Sequence, residues 1–251
     1  MDFSHLSSQQ WFLAGAAAFL LGMSKSGFGG VGMLTVILMA SVMRGHERES
    51  TGAVLPLLLC GDVFACSAFR RHVRWPVLFP MLLPTLLGIL IGFFWLRGLS
   101  NTAFKPVIGS IVLLLTVLHL LRQSQPSRFQ SVPHTRWFAW MMGILAGMTT
   151  MLANAAGPIV ALFFLALGLP KLEFVGTAAL YFLTVNLVKV PFSLNLGLVT
   201  HASLAFNAML IPLVALGIVV GRFLLHRINQ RLFEKILLLL TALTALQMIL
   251  R

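Results

Sequence analysis

The chain has 251 residues, 59% of them hydrophobic and only 10% charged, with a mean hydropathy of +0.95. A soluble domain carries about 25% charged residues, so this composition excludes a soluble enzyme or scaffold and indicates an integral membrane protein. The formal charge of +12 would suggest nucleic acid in a soluble protein. Here Lys and Arg gather in short loops between apolar runs, where they act as topology signals.

The first ten residues contain no Lys or Arg, which is unlike a cleavable signal peptide. An apolar segment then runs from Trp11 to Met43, interrupted by Gly22-Met23-Ser24-Lys25-Ser26-Gly27-Phe28-Gly29-Gly30-Val31-Gly32. Glycine weakens a helix, and serine and lysine are unfavourable at membrane depth. Apolar stretches of helix-spanning length follow at Thr51–Phe69, Pro76–Leu96 and Pro106–Leu121. Cys60 and Cys66 fall inside the first of these and read as small packing residues, since no His/Cys cluster has metal-ligand spacing. The second half repeats the plan. A segment Trp137–Leu169 is interrupted by Gly147-Met148-Thr149-Thr150-Met151-Leu152-Ala153-Asn154-Ala155-Ala156-Gly157-Pro158, and Phe174–Leu194, Leu204–Gly221 and Lys235–Leu250 follow.

An ungapped shift of 125 residues superposes Gly22 on Gly147, Gly32 on Gly157, Gly92 on Gly217 and Arg97 on Arg222. The expected fold is therefore all-α, a polytopic membrane protein of two structural repeats, 1–125 and 126–251. Each repeat is a broken or re-entrant segment followed by three transmembrane helices, as in many secondary transporters. If the broken segments span once, loop Lys and Arg divide seven against nine, which is no bias. If they turn back as hairpins, Arg44, Arg48, Arg97, Lys105 and Arg251 lie on one side, and the other eleven loop cations, from Arg70 to Lys235, lie opposite. That asymmetry favours hairpins, an inverted pair of repeats, and both termini outside. Hairpin arms of 11 to 13 residues would reach mid-membrane and no further.

After each break the chain resumes a helix, near Met33 and at Pro158, a residue suited to a first helical position. Two helix N-termini facing each other would aim N–H groups and positive dipole ends at one point, which suits an anion. The candidate substrate-binding residues are Ser24, Lys25, Gly29, Gly30, Gly32, Thr149, Asn154, Gly157, Asn186 and Lys189, with Ser26 and Thr150 as further donors. Glycines of this kind also serve plain helix packing, but the whole polar run, repeated, favours a site. Lys25 and Lys189 are the only Lys or Arg outside the loops, and Lys189 follows Asn186 by about one turn on one face. Snorkelling to an interface is the bland alternative for Lys189. Asp62, mid-segment, is the expected charge partner of one of these lysines, or a proton carrier.

Gly22-Met23-Ser24-Lys25-Ser26-Gly27-Phe28-Gly29-Gly30 and Gly176-Thr177…Asn186-Leu187-Val188-Lys189 resemble the two signature regions of the TauE/SafE family of sulfite and organosulfonate exporters. The similarity covers nearly the whole chain. It implies a permease of the bacterial inner membrane, multi-pass, exporting small sulfur oxyanions or sulfonates. The chain departs from many members in having Thr35-Val36-Ile37-Leu38 where a Val-Pro often follows the glycine run. The expected partners are a small anion and the lipid bilayer, with no nucleic acid, no metal and no cofactor; a homodimer is compatible with the sequence. The rivals are an anion channel and an intramembrane enzyme using Ser24 and Lys25, although adjacent helix residues point about 100° apart, which argues against such a dyad.

Overall fold

The computed structural model describes residues 6–28, 31–43, 53–98, 113, 117 and 136–250. Among them every regular element is helical: α1 (Ser8–Lys25), α2 (Val31–Val42), α3 (Leu55–Phe69), a 3-10 turn (Arg70–His72), α4 (Trp75–Gly98), α5 (Arg136–Ala153), α6 (Gly157–Ala166), α7 (Lys171–Asn195), α8 (His201–Arg227) and α9 (Gln230–Leu250). The expected helix Pro106–Leu121 lies outside the described residues except for Leu113 and Val117. Among the described residues, Trp75–Trp95, Lys171–Asn195 and His201–Arg227 are long and apolar enough to cross a membrane. Large apolar side chains also face outward, among them Phe12 at 76% exposure and Trp137 at 73%, a surface suited to lipid rather than water.

Both interrupted segments break where the glycine-rich runs predict. The first pair doubles back, since Gln10 Nε2 near the start of α1 donates to the Val42 carbonyl at the end of α2 (3.2 Å). Midway, Thr35 Oγ1 donates to the Ala17 carbonyl (3.1 Å). In the second pair the Phe138 and Phe163 rings lie 5.5 Å apart, again joining the start of one arm to the far part of the other. The first returning arm, of 12 residues, matches the expected length and the second, of 10, falls just short of it, but the leading arms are 18 residues each. For α1 the reason is local. A capping box between Ser7 and Gln10 starts the helix before the apolar run, and the helix continues through Gly22 to Lys25.

Close helix crossings fix the rest. α1 runs alongside α8 in the same direction: a Cβ on Gly22 would lie 2.1 Å from the Val214 carbonyl oxygen, and one on Gly217 2.1 Å from that of Phe19. α5 runs alongside α4 in the same way, with a Cβ on Gly147 falling 2.1 Å from the Thr85 carbonyl oxygen and one on Gly88 2.2 Å from that of Ile144. Only glycine permits backbones this close. α3 lies against α7 in the opposite direction, with Gly176 against the Phe69 carbonyl and Asp62 beside Asn186.

Arg74 Nε pairs with Glu173 Oε2 at 2.8 Å, and the Arg74 N–H donates to Thr177 Oγ1 at 2.9 Å. Lys171 Nζ donates to the Leu225 carbonyl (2.9 Å) and to that of Ile228, closing the C-terminus of α8 where a cation is favoured. The Arg70–Arg74 turn, Lys171 and the α8–α9 junction therefore share one end of the bundle. Lys171–Glu173 and Arg222–Arg227, expected in loops, are the first turn of α7 and the last turns of α8.

Candidate functional site

The breaks bring the ends of α1 and α5 and the starts of α2 and α6 to a cavity of about 90 Å³. Its lining includes Ser24, Lys25, Gly32, Asn154, Gly157 and Asn186, six of the residues expected from the sequence. Thr149 is buried away from it, at 1% exposure, and its hydroxyl donates to the Ala146 carbonyl. Gly29 and Gly30 lie outside the described residues.

A chain of polar contacts ties the two breaks together. Lys25, the last residue of α1, places its ammonium 2.6 Å from Asp62 Oδ1 on α3 and 5.0 Å from the centre of the Phe182 ring. The second carboxylate oxygen, Oδ2, accepts from Asn186 Nδ2 on α7 at 2.6 Å. The Asn186 amide oxygen then faces Lys189 Nζ at 3.5 Å. Lys189 also donates to Thr150 Oγ1 (3.3 Å) and to Asn154 Oδ1. Its three N–H bonds thus meet three oxygen acceptors. Asp62 and Lys189 are 0% and 2% exposed, so Lys189 does not snorkel to an interface. Asp62 serves both lysines, directly for Lys25 and through Asn186 for Lys189.

Local backbone geometry sets these contacts. Asn154 has φ +52°, a left-handed conformation that asparagine tolerates better than most residues. The neighbouring Ala155 N–H closes the end of α5 on the Thr149 carbonyl (3.2 Å). The turn leaves the Asn154 side chain on Lys189 and on the cavity wall at once. At the first break Gly27 has φ +110°, and a Cβ there would fall 2.6 Å from Val175 Cγ2. The tip of the α1–α2 hairpin therefore packs directly on α7.

Not every expected donor points to the cavity. The Ser24 hydroxyl donates to the Leu21 carbonyl at 2.7 Å and can meet a ligand only as an acceptor while it does so. Ser26 donates to the Ile218 carbonyl at 3.0 Å and seats α1 on α8. Lys25, engaged with Asp62 yet lining the cavity, is the accessible cation. Thr35 and Phe182 are among the lining residues not anticipated. Thr35 lines the wall while bonded to Ala17. Phe182 gives its face to Lys25, and its spacing of four from Asn186 on one helix face was a signal to be had.

The electrostatic sum decides what this arrangement can do. Two lysines, Lys25 and Lys189, meet one carboxylate, Asp62, so with all three ionised the group would carry one positive charge, enclosed in protein and beside two helix starts. An uncompensated buried charge is strongly unfavourable. A small anion in the cavity would balance it.

The family model described as "Sulfite exporter TauE/SafE" matches residues 14–248, nearly the full chain. No curated protein and no solved structure matches it.

Proposed function

The chain belongs to the TauE/SafE sulfite exporter family, a family of membrane transporters, and from that premise we propose that it is a secondary transporter exporting sulfite or an organosulfonate. The observation that carries the reading is the Lys25–Asp62–Asn186–Lys189 chain, two lysines to one carboxylate, beside a cavity. The anion sits between the two breaks, with Lys25 as its countercharge and Asn154, Thr150 and the starts of α2 and α6, at Gly32 and Gly157, within reach.

Transport proceeds by alternating access between two inverted repeats, 1–125 and 126–251, in a bacterial inner membrane. Several observations support this arrangement. The α1–α8 crossing has its counterpart in α5–α4, and each pairing joins a hairpin arm of one half to a helix of the other. The α1–α8 pair runs opposite to the α5–α4 pair, because α3 and α7 are antiparallel and each leads into one of these helices. The basic turn at Arg70–Arg74 shares an end with Lys171 and Ile228, which single spans would separate. The site then lies at the midplane, as in other inverted-repeat carriers, and an ion gradient or the membrane potential drives it.

The test is flux of sulfite and of ethanesulfonate in proteoliposomes holding the full chain, under an imposed potential and an imposed pH gradient. Wild type should give saturable flux that follows one of the gradients. The double variant Lys25→Met/Asp62→Asn, which removes Lys25 with its direct partner and leaves Lys189 on Thr150, Asn154 and Asn186, should lose saturation at the concentrations that saturate wild type. Equal flux from the double variant would remove Lys25 from the site.

A further inference from the structure

Of the described lining residues on α7, Phe174 lies nearest the start of that helix, one turn from Lys171 and so nearest the basic end of the bundle. Its ring is wedged between two others. It meets Phe164 of α6 edge-on (centroids 5.3 Å apart, 90°) and Phe233 of α9 in the same way (5.4 Å, 80°), and all three are buried. The tip of the first hairpin closes on the same layer, since a Cβ on Gly27 would fall 3.2 Å from Phe233 Cε2. One turn outward from Phe174 and Phe233 stand Lys171 and Gln230. There Gln230 Oε1 accepts the Lys171 backbone N–H at 2.8 Å, and its Nε2 donates to the Leu169 carbonyl at 3.3 Å and to Glu234 Oε1 at 2.7 Å. The start of α9 is thereby strapped across the α6–α7 connection.

Building on the reading that the cavity opens to each side of the membrane in turn, we propose that these two layers are its gate at the basic end. Phe174 and Phe233 are the plug, and Gln230 is the latch that holds α9 over it. Two properties suit the role. The glycine crossings set backbone against backbone, with no side chain to yield. At the plug, by contrast, rings can turn to another rotamer, and at the latch an amide can exchange its partners for water at the small net cost of a hydrogen bond. When shut, the plug bars an anion, which would have to shed its water against apolar rings to pass. The conformation described is closed at this end. Opening turns Phe174 out from between Phe164 and Phe233 and frees Gln230 to water.

The test places a cysteine behind the plug, Ala178→Cys, one turn deeper on α7 and lining the cavity, in the full chain with Cys60 and Cys66 replaced by serine. A membrane-impermeant thiol reagent is applied to vesicles of either orientation, and Arg231→Cys reports which end faces the reagent. From the basic end, Gln230→Ala should speed labelling of Ala178→Cys at least about tenfold, the factor for losing two hydrogen bonds. Phe174→Ala should speed it as well. From the opposite end neither should. Gln230→Ala, whose partners lie at the end of the bundle, decides alone where Phe174→Ala fails to fold. Labelling accelerated from both ends would mean general loosening. That result, or no acceleration from the basic end, would overturn the inference and leave the anion-transport reading intact. Sulfite flux in proteoliposomes is read separately: its absence, with the one-sided acceleration present, would bring down the anion-transport reading and keep the gate.

Discussion

At the scale of single residues the charged members of the site were legible because charge is conspicuous in an apolar chain. Lys25, Asp62 and Lys189 each stand in a run where an ionised group is unfavourable without a partner, and the structure joins them into one network through Asn186. What the sequence did not carry was orientation. Ser24 and Thr149 look like donors, yet both hydroxyls are turned onto carbonyls of their own helix, a local alternative open to any Ser or Thr. Phe182 is one of 20 phenylalanines and nothing in its type marks it. The network makes a separable prediction. Lys25→Met alone leaves Asp62 buried without its countercharge and should destabilise the fold by about 3–5 kcal/mol. Adding Asp62→Asn should restore most of that loss, while anion binding stays lost. Thermal unfolding and ligand-induced stabilisation, measured on the same samples, separate the two effects. Recovery of binding together with stability would show that Lys25 acts only as the partner of Asp62.

Elements are held by glycine crossings, and these do not keep the single 125-residue register expected from the sequence. The uniform 125-residue shift superposes Gly92 on Gly217. In space Gly217 meets Phe19 as Gly88 meets Ile144, and Gly221 meets Ser26 as Gly92 meets Met151. The leading arms keep the 125-residue register and α4 and α8 follow one of 129, a difference of four residues, about one helical turn. A turn added inside an apolar run changes no pattern of hydrophobicity, so the offset was invisible before the contacts were known. The crossings predict a sharp contrast. Gly217→Ala places a methyl 2.1 Å from the Phe19 carbonyl oxygen, against backbone that cannot yield. It should cost about 1–3 kcal/mol through forced separation of α1 and α8. Gly15→Ala meets only the flexible end of Leu213, at 3.1 Å, and should be neutral or stabilising by up to about 1 kcal/mol from the better helix propensity of alanine. Thermal unfolding of both variants checks the contrast, and equal effects would mean that the crossing tolerates separation.

For the whole molecule the open question in the sequence was whether the broken segments cross or return, and the count of loop cations favoured return. The bundle bears on it independently. Arg74 bonds to Glu173 and Lys171 caps α8, so the turns around Arg71 and Arg231 lie at one end, while His201, at the opposite terminus of α8, lies at the other. Hairpins keep Arg71 and Arg231 on the basic, cytoplasmic side and put His201 outside. Single spans would set Arg71 and Arg231 on opposite sides of the membrane. With Cys60 and Cys66 replaced by serine, single cysteines at these three exposed positions decide between them. A membrane-impermeant thiol reagent should label His201→Cys in intact cells, and Arg71→Cys and Arg231→Cys only after permeabilisation. Labelling of Arg71→Cys and Arg231→Cys from opposite sides would defeat the inverted arrangement and with it the midplane position of the site. It would leave untouched the Lys25–Asp62 pair, whose geometry depends on the bundle and not on how the bundle sits in lipid.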